Sequence, residues 1–404
     1  MISLNINLYM RIVIISQSDS GGAGIAALRL HKALLAANID SWLLCFQKKC
    51  DCENVVVVKR PLFCKIIDTL PLPINNKKYN RTIKKIWLNY ECMSCPNSID
   101  YLTNHPLVQA ADIINLHWVG SRLSYNKFFK KVKKPIVWTL HDMNPFLGYA
   151  HYLSDIQKLS SNRFYDDNLR KQKEQWIHQS DKINVVALCN WMKKHSEKSD
   201  ALGRYPHYII PNSIDTTIFR SYSKSAIREL FEIPTDEKVL LFVSQYNNDR
   251  KGFDIIAQGI EDLTGCTLMI VGINYEPITT KCKIKDLGRI ADQHYMALVY
   301  ACADAFLLPS REDNLPNTML ESLCCGTPVI STKNGGMADI IQNGENGYIA
   351  EEINSTSFRQ SIDKFLTEGV SMSNEQISEK AHSMFAPSVQ AKGYIDLFKS
   401  LLKK

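Results

Sequence analysis

The sequence predicts an α/β protein of two Rossmann-like, doubly wound domains facing each other across a cleft. Three observations carry this expectation. The chain has 404 residues, 45% of them hydrophobic, which is ample for two cores and too long for one ordinary domain. Short apolar runs alternate with helical patterns, as a parallel sheet wrapped by helices requires. The alternation then restarts after Tyr208-Ile209-Ile210-Pro211-Asn212. The expected division is 1–205, 206–385, and a C-terminal helix at 386–404 packing back toward the first domain.

The apolar start, Met1 to Ser16, is interrupted by Asn5 and Asn7 and is followed by no small-residue cleavage site. It reads as the approach to a first strand rather than as a secretory signal. That strand is expected at 11–16, with others at 41–46, 112–116, 135–140 and 184–188 and helices at 24–37, 164–179 and 191–198. In the second domain strands fit 239–244, 267–271, 305–308 and 328–331. Helices there fit 253–261, 294–303, 317–324 and 355–367, and 388–402 closes the chain as an amphipathic helix. No apolar run reaches the ~18–20 residues a membrane span needs. The twelve cysteines are scattered, several inside apolar runs (Cys189, Cys302, Cys324), which suits reduced, buried thiols. Cys92 and Cys95 form a CxxC without a second well-spaced pair, too little to specify a zinc site.

Charge is unevenly distributed. Up to Arg204 there are 29 Lys/Arg against 16 Asp/Glu, and after it 19 against 25. The basic first half suggests an anionic partner. Basic residues cluster at Lys77, Lys78, Arg81, Lys84 and Lys85, and again at Lys127, Lys130, Lys131, Lys133 and Lys134. Tyr79, Trp87, Phe128 and Phe129 sit among them, a mixture suited to an anionic membrane surface. No nucleic-acid-binding motif accompanies the clusters, so no nucleic-acid partner is expected. A plain solvated face is the competing reading.

Three segments place polar groups where parallel strands end. Ser18-Asp19-Ser20-Gly21-Gly22-Ala23-Gly24 follows the first strand and opens a helix. Glycines there let a ligand approach the backbone, and the helix start offers N–H groups to an anion. Ala27 stands where a GxGxxG fingerprint has its third glycine, so this is not a dinucleotide fingerprint. His117 and His141-Asp142 tip two further strands. In the second domain Arg250-Lys251-Gly252 precedes a helix, where a guanidinium fork and an ammonium can hold a diphosphate. The stretch from Pro309 to Ser322 puts Glu312 and Asp313 on a strand-to-helix loop. A helix start follows at Asn317 and Thr318, where phosphate can bind, and then Glu321, eight residues after Asp313.

At these residues the chain resembles glycosyltransferase family 4, retaining enzymes of the GT-B fold, and most of all its bacterial surface-polysaccharide branch. The resemblance runs through Gly21-Gly22-Ala23-Gly24, His141-Asp142, residues 210–215, Arg250-Lys251-Gly252, 313–321 and Gly335-Gly336. It implies an N-terminal acceptor-binding domain and a C-terminal nucleotide-sugar-binding domain. Arg250 and Lys251 would neutralise the donor diphosphate, with His141 beside the donor sugar and Asp313 at its hydroxyls. Glu321 would meet the ribose, Gly21 and Gly22 would lie by the diphosphate, and Gly272, Arg289 and Ile290 would frame the base. Glu312, Leu315, Pro316, Asn317 and Thr318 would line the donor. His117, Lys130, Lys131, Lys133 and Lys134 are assigned to the acceptor and membrane side.

The resemblance further implies a hexosyltransferase-type reaction that retains anomeric configuration, with no bound metal or cofactor. The donor would be a nucleoside-diphosphate sugar and the acceptor a lipid-linked saccharide for lipopolysaccharide, O-antigen or capsule. The enzyme would be cytoplasmic, peripheral at the inner face of the cytoplasmic membrane. Two departures bear on the site. Asp313 stands at the position where the family usually has a first glutamate, with Glu312 beside it, and Ser244-Gln245 replaces a usual glycine–arginine. Alternative readings are a non-catalytic sugar-nucleotide-binding or scaffold member, and a sugar-nucleotide epimerase of the same architecture. A glycosidase built on Glu312 or Asp313 with Glu321 leaves the two cations unexplained.

Overall fold

The computed structural model describes residues 10–59, 92–96, 99–159, 163–244, 249–272 and 278–403. The chain divides into two compact units, Met1–Ile210 with Ala391–Lys404, and Pro211–Gln390.

The first unit contains β1 (Arg11–Ile15), β2 (Asp40–Cys45), β3 (Val55–Val57), β4 (Ile113–Leu116), β5 (Ile136–Leu140), β6 (Ile183–Ala187) and β7 (His207–Ile209). Among the described residues they form a seven-stranded sheet in the order β3-β2-β1-β4-β5-β6-β7. Every pairing is parallel. Its helices are α1 (Gly21–Ala36), α2 (Pro106–Ala110), α3 (Tyr125–Lys131), α4 (Leu153–Lys158), α5 (Arg163–Ile177) and α6 (Asn190–Glu197). The strand order reverses between β1 and β4, and a doubly wound sheet opens its ligand crevice at the carboxyl ends flanking such a reversal. The glycine loop leaves β1 there, and His117 leaves β4.

The second unit contains β8 (Lys238–Val243), β9 (Cys266–Val271), β10 (Lys283–Asp286), β11 (Ala305–Leu308), β12 (Val329–Thr332) and β13 (Gly347–Ala350). The sheet order is β10-β9-β8-β11-β12-β13, again parallel throughout. Its helices are α7 (Lys224–Leu230), α8 (Phe253–Gly259), α9 (Gln293–Cys302), α10 (Asn317–Cys324), α11 (Met337–Ile340), α12 (Ser355–Glu368) and α13 (Asn374–Phe385). The reversal falls between β8 and β11. Arg250-Lys251 follows the first of these strands, and the Glu312-Asp313 loop follows the second.

The central strands are buried along their whole length, which is why they read as continuous apolar runs and not as alternations. The edge strands escape sequence reading. Lys283-Ile284-Lys285-Asp286 is charged and largely exposed, and it is a strand only because β9 offers its edge for pairing. The last helix, α14 (Pro387–Leu402), crosses the division between the units. From Ala391 onward it packs in the first unit's core, where Tyr394, Leu397 and Phe398 join Ile12, Ile14, Leu30, Leu43, Val137 and Val186. In the second unit Phe242, Leu268, Leu307 and Ile330 are covered by Phe253 and Ile256 of α8 and by Phe358 and Ile362 of α12.

One expectation is corrected by this packing. Phe128 and Phe129 do not face a membrane surface: both are fully buried. Phe129 lies 5.3 Å from the Trp138 ring, and Tyr125 stands edge-on to the same ring at 5.5 Å. Their spacing among lysines is that of a helix with one core face and one charged face. Lys127, Lys130, Lys131 and Lys133 remain exposed, whereas Lys134 turns its amine onto the Gln109 and Ala111 carbonyls. The earlier cluster, Lys77, Lys78, Arg81, Lys84 and Lys85 with Tyr79 and Trp87, lies outside the described residues. Among the described residues no helix is long and apolar enough to cross a membrane.

Because α14 completes the core under β1 and β5, Phe398→Ala should destabilise the first unit by about 3–5 kcal/mol, the range of a fully buried aromatic truncated to alanine. Urea denaturation of wild type and variant checks this.

Candidate functional site

In the second unit the site is built on a turn that only glycine permits. After β8 the chain makes a single 3-10 turn, Asp249–Lys251, and enters α8 through Gly252 at φ +69°. A Cβ at Gly252 would lie 2.2 Å from the Pro309 carbonyl oxygen. The turn therefore sits directly on the end of β11. Its backbone is tied there, with the Arg311 N–H donating to the Arg250 carbonyl at 2.8 Å. Arg311 also grips Asp254 through both terminal nitrogens, at 2.8 and 2.5 Å.

Two cations are thereby aimed at one carboxylate. Lys251 Nζ donates to Asp313 Oδ2 at 2.6 Å, and Arg250 NH1 lies 3.4 Å from the same oxygen. Arg250 NH1 also donates to the Glu312 carbonyl at 3.1 Å. Asp313 Oδ1 accepts from the Asn314 N–H at 3.0 Å. Burial by itself would raise the Asp313 carboxyl, but Lys251 and Arg250 outweigh it and hold it below its ordinary value. The loop cannot drift away. Gly335 at φ +147° lies against Asp313, where a Cβ would come within 1.9 Å of its carbonyl oxygen, and Asp313 N donates to Asn334 O at 3.2 Å. At their side chains Arg250 is 14% and Lys251 23% exposed.

Other predicted residues are arranged around this cluster. Glu312, Leu315 and Pro316 are buried, and Asn317 and Thr318 are half-buried at the start of α10. Asn317 Oδ1 accepts from Asn212 Nδ2 at 3.0 Å, and Glu321 Oε2 accepts from the Tyr300 hydroxyl at 3.4 Å. Gly272 N donates to the Gly288 carbonyl, joining the ends of β9 and β10, and the exposed Arg289 and half-buried Ile290 follow. Ser244 closes β8, and Gln245 lies outside the described residues.

In the first unit Gly21 and Gly22 open α1, exposed, with no atom within 4 Å of where a Cβ would stand. Gly24 is different: a Cβ there would meet the Ser18 carbonyl at 2.6 Å. The first two glycines keep space open, and the third lets the helix close on its loop. At the tips of β4 and β5 the two histidines touch, His117 Nδ1 to His141 Nε2 at 2.8 Å. His117 is only 2% exposed and its Nε2 faces Asn115 Oδ1 at 3.1 Å. Both ring nitrogens of His117 are thus engaged inside the protein. Burial pushes its imidazole well below the ordinary range and lowers that of His141 to about 4, so both rings are neutral.

Asp142, next to His141, anchors a second network. Its Oδ2 meets His151 Nδ1 at 2.5 Å and accepts from Trp118 Nε1 at 2.7 Å, and its Oδ1 accepts from Asn144 N. Burial would lower His151, but the Asp142 carboxylate overrides it and pushes the imidazole up to about 10. Behind this loop stands Lys173, fully buried, donating to the Asn144, Leu147 and Gly148 carbonyls. Asp166 completes the clamp by accepting from the N–H groups of Gly148, Tyr149 and Ala150. His151, Lys173, Asp166 and Asn115 were not singled out in the sequence. Their one signal is polarity within or beside apolar surroundings.

Residues 237–368 match the family model described as glycosyl transferases group 1. The match lies within the second unit. Two curated relatives are similar to it at low identity. One is the N-acetyl-alpha-D-glucosaminyl L-malate synthase of Bacillus anthracis, 24% identical over 59% of this chain and 61% of that protein. The other is the lipopolysaccharide 1,2-N-acetylglucosaminetransferase of Salmonella typhimurium, 25% identical over 72% of this chain and 85% of that protein. The chain spans about half to three fifths of the length of the first curated relatives it matches. Among solved structures, Anabaena HepE in complex with UDP-glucose aligns with a TM-score of 0.63 at 15% identity, covering 97% of this chain and 100% of that one. The fold is the two-sheet α/β architecture of GT-B glycosyltransferases.

The matched segment holds the cation cluster, the carboxylates Glu312, Asp313 and Glu321, and the α10 start. The Asp142–His151 pair belongs to the unit outside it. Because His151 is raised from its ordinary 6.5 to about 10, the folded state binds its proton more tightly than the unfolded chain does. The stability difference between wild type and His151→Gln should be full below about pH 6.5 and fade as pH rises toward 10. Its low-pH size should be about 3 kcal/mol, the scale for breaking a buried ion pair. Urea unfolding at a series of pH values measures it.

Proposed function

We propose that the protein is a retaining glycosyltransferase that moves a sugar from a nucleoside-diphosphate sugar to a lipid-linked saccharide in bacterial surface-polysaccharide synthesis. One observation carries the reading: Lys251 and Arg250 converge on Asp313 at the carboxyl ends of β8 and β11. In breaking the bond between sugar carbon and diphosphate, the main demand is stabilising the negative charge that develops on the leaving group. A guanidinium fork and an ammonium, supported by the N-terminus of α10, meet that demand. The similarity to UDP-glucose-bound HepE and to a lipopolysaccharide N-acetylglucosaminetransferase supports the donor and acceptor classes.

In this reading Asp313 has two tasks. It presents the cations before the donor arrives, and once they turn to the diphosphate its carboxylate is released toward the sugar hydroxyls. Glu321 accepts from the ribose hydroxyls, and Gly272, Arg289 and Ile290 border the base. His141 meets the donor sugar, and Gly21 and Gly22 leave room for the diphosphate. Glu312, Leu315, Pro316, Asn317 and Thr318 line the donor mainly with backbone groups. The acceptor hydroxyl attacks the face the diphosphate leaves. A new carbon–oxygen bond forms as the old one breaks, and the hydroxyl proton passes to a donor phosphate oxygen. No metal takes part in this reading, because the cation pair carries the charge. Lys130, Lys131 and Lys133 would hold the protein at an anionic inner membrane face.

A panel of UDP-, GDP- and dTDP-sugars, with membrane extract as acceptor source, should give nucleoside-diphosphate release from one donor. Lys251→Ala should lower that rate by about 100-fold or more, the scale of losing one transition-state charge contact. Release from no donor would favour a non-catalytic sugar-nucleotide-binding protein, and conversion of the donor without acceptor would favour an epimerase. Product NMR should report a retained anomer, and an inverted one would remove the same-face mechanism. Lys130→Glu, Lys131→Glu and Lys133→Glu together should weaken sedimentation with anionic vesicles while leaving neutral vesicles unaffected; equal binding to both would remove the membrane reading.

A further inference from the structure

The hydrogen bonds behind His141 leave one consistent set of protons. The Val137 carbonyl can only accept, and Asn115 Nδ2 lies 3.0 Å from it and 3.0 Å from Thr139 Oγ1. The side-chain amide of Asn115 is thus oriented by main chain. Turning it over would set two carbonyl oxygens against each other in a fully buried site, where an unmade hydrogen bond is costly. Asn115 Oδ1 is then the atom facing His117 Nε2 at 3.1 Å, and an amide oxygen can only accept. His117 Nε2 therefore carries the proton. The ring is neutral, so its Nδ1 is a bare lone pair, and the atom 2.8 Å away, His141 Nε2, must be the donor. His141 is neutral as well, so its own Nδ1 is a lone pair. Among the described residues that nitrogen has no hydrogen-bond partner, and His141 is partly exposed and lines a small pocket with Trp118, Asp142 and Asn144.

We infer that the Val137 carbonyl, Asn115 and His117 form a relay that locks His141 in the Nε2–H tautomer, so that the β5 tip presents a fixed acceptor. It receives a neutral hydroxyl or amide N–H of the sugar and discriminates against a carboxylate or phosphate at that position. An imidazole of the other tautomer, or a charged one, would do the opposite. In this scheme Asn115 and His117 are positioning residues that act through His141. The scheme rests on the proposed reading of the protein as a sugar-nucleotide enzyme, but the tautomer itself does not.

The test has two arms. Long-range proton–nitrogen NMR of the histidine-labelled protein should show His141 protonated at Nε2 and bare at Nδ1. In Asn115→Leu the two histidines should become tautomer mixtures. A His141 protonated at Nδ1, or an unchanged spectrum in Asn115→Leu, overturns the relay whatever the protein catalyses. The second arm uses the donor found in the panel. Asn115→Leu and His117→Leu should each lower kcat/KM about tenfold, as expected for one displaced hydrogen bond, with nucleoside-diphosphate affinity unchanged. His117→Gln can still accept from His141 and donate to Asn115, so it should recover most of what His117→Leu loses. Equal loss in both His117 variants, or a parallel fall in nucleotide affinity, would mean the pair is merely structural. Among deoxy analogues of the donor sugar, one should lose its penalty when His141 is replaced by alanine. If none does, the acceptor role of Nδ1 falls even where the tautomer is as stated. If no sugar nucleotide turns over, the proposed function fails and the spectrum still decides the relay.

Discussion

Both units depend on parallel strands sealed from water on both faces. Such a strand leaves no solvent to satisfy a polar side chain, so each polar group placed among the strands must find a partner in the protein. Asn115, fully buried in the middle of β4, is the clearest case, because the carbonyl of the neighbouring strand dictates how its amide lies. From that orientation follow the protons of His117 and His141. The same constraint moves variable chemistry to the carboxyl ends of the strands, where the chain leaves the sheet and polar groups can reach a ligand.

Two of the buried carboxylates at those ends, Asp142 in the first unit and Asp313 in the second, are held ionised and are used differently. Asp142 is matched by His151 and by the Trp118 and Asn144 N–H groups, so its charge is absorbed internally and serves to hold a loop. Asp313 faces two cations, Lys251 and Arg250. Under the proposed function these two cations are what receives the diphosphate. The loop after β5 is further clamped by Lys173, whose amine burial pulls down to about 7, and by Asp166, which burial raises against the N–H groups it accepts from. That much buried polarity spent on one loop points to the value of holding the β5 tip still, since a site held to within a fraction of an ångström is what positioning demands.

Much of this architecture is legible in the residues alone. The long central strands were identifiable because burial on both faces makes them unbroken apolar runs, and β11 and α10 fall on the residues expected. The short edge strands β3, β7, β10 and β13 were not expected, because three or four residues carry no period of their own and their pairing comes from a neighbour. The same limit misassigned Phe128 and Phe129. Aromatic residues between lysines look alike on a helix at a membrane and on a helix against a core, and only Tyr125 and Trp138, brought alongside by the fold, distinguish them.

By itself the sequence determined the two sheets, the restart between them and the strand ends at which Gly21, His141, Arg250, Lys251, Asp313 and Glu321 stand. Local periodicity and the chemistry of glycine and charge suffice for that. The tertiary structure alone decided which atoms meet: Lys251 with Asp313 across 62 positions of chain, His117 with His141 across 24, and Thr139 with Tyr394 across 255. Hydrogen bonds and ion pairs act over about 3 Å, and no spacing along the chain encodes a distance that short between residues so far apart.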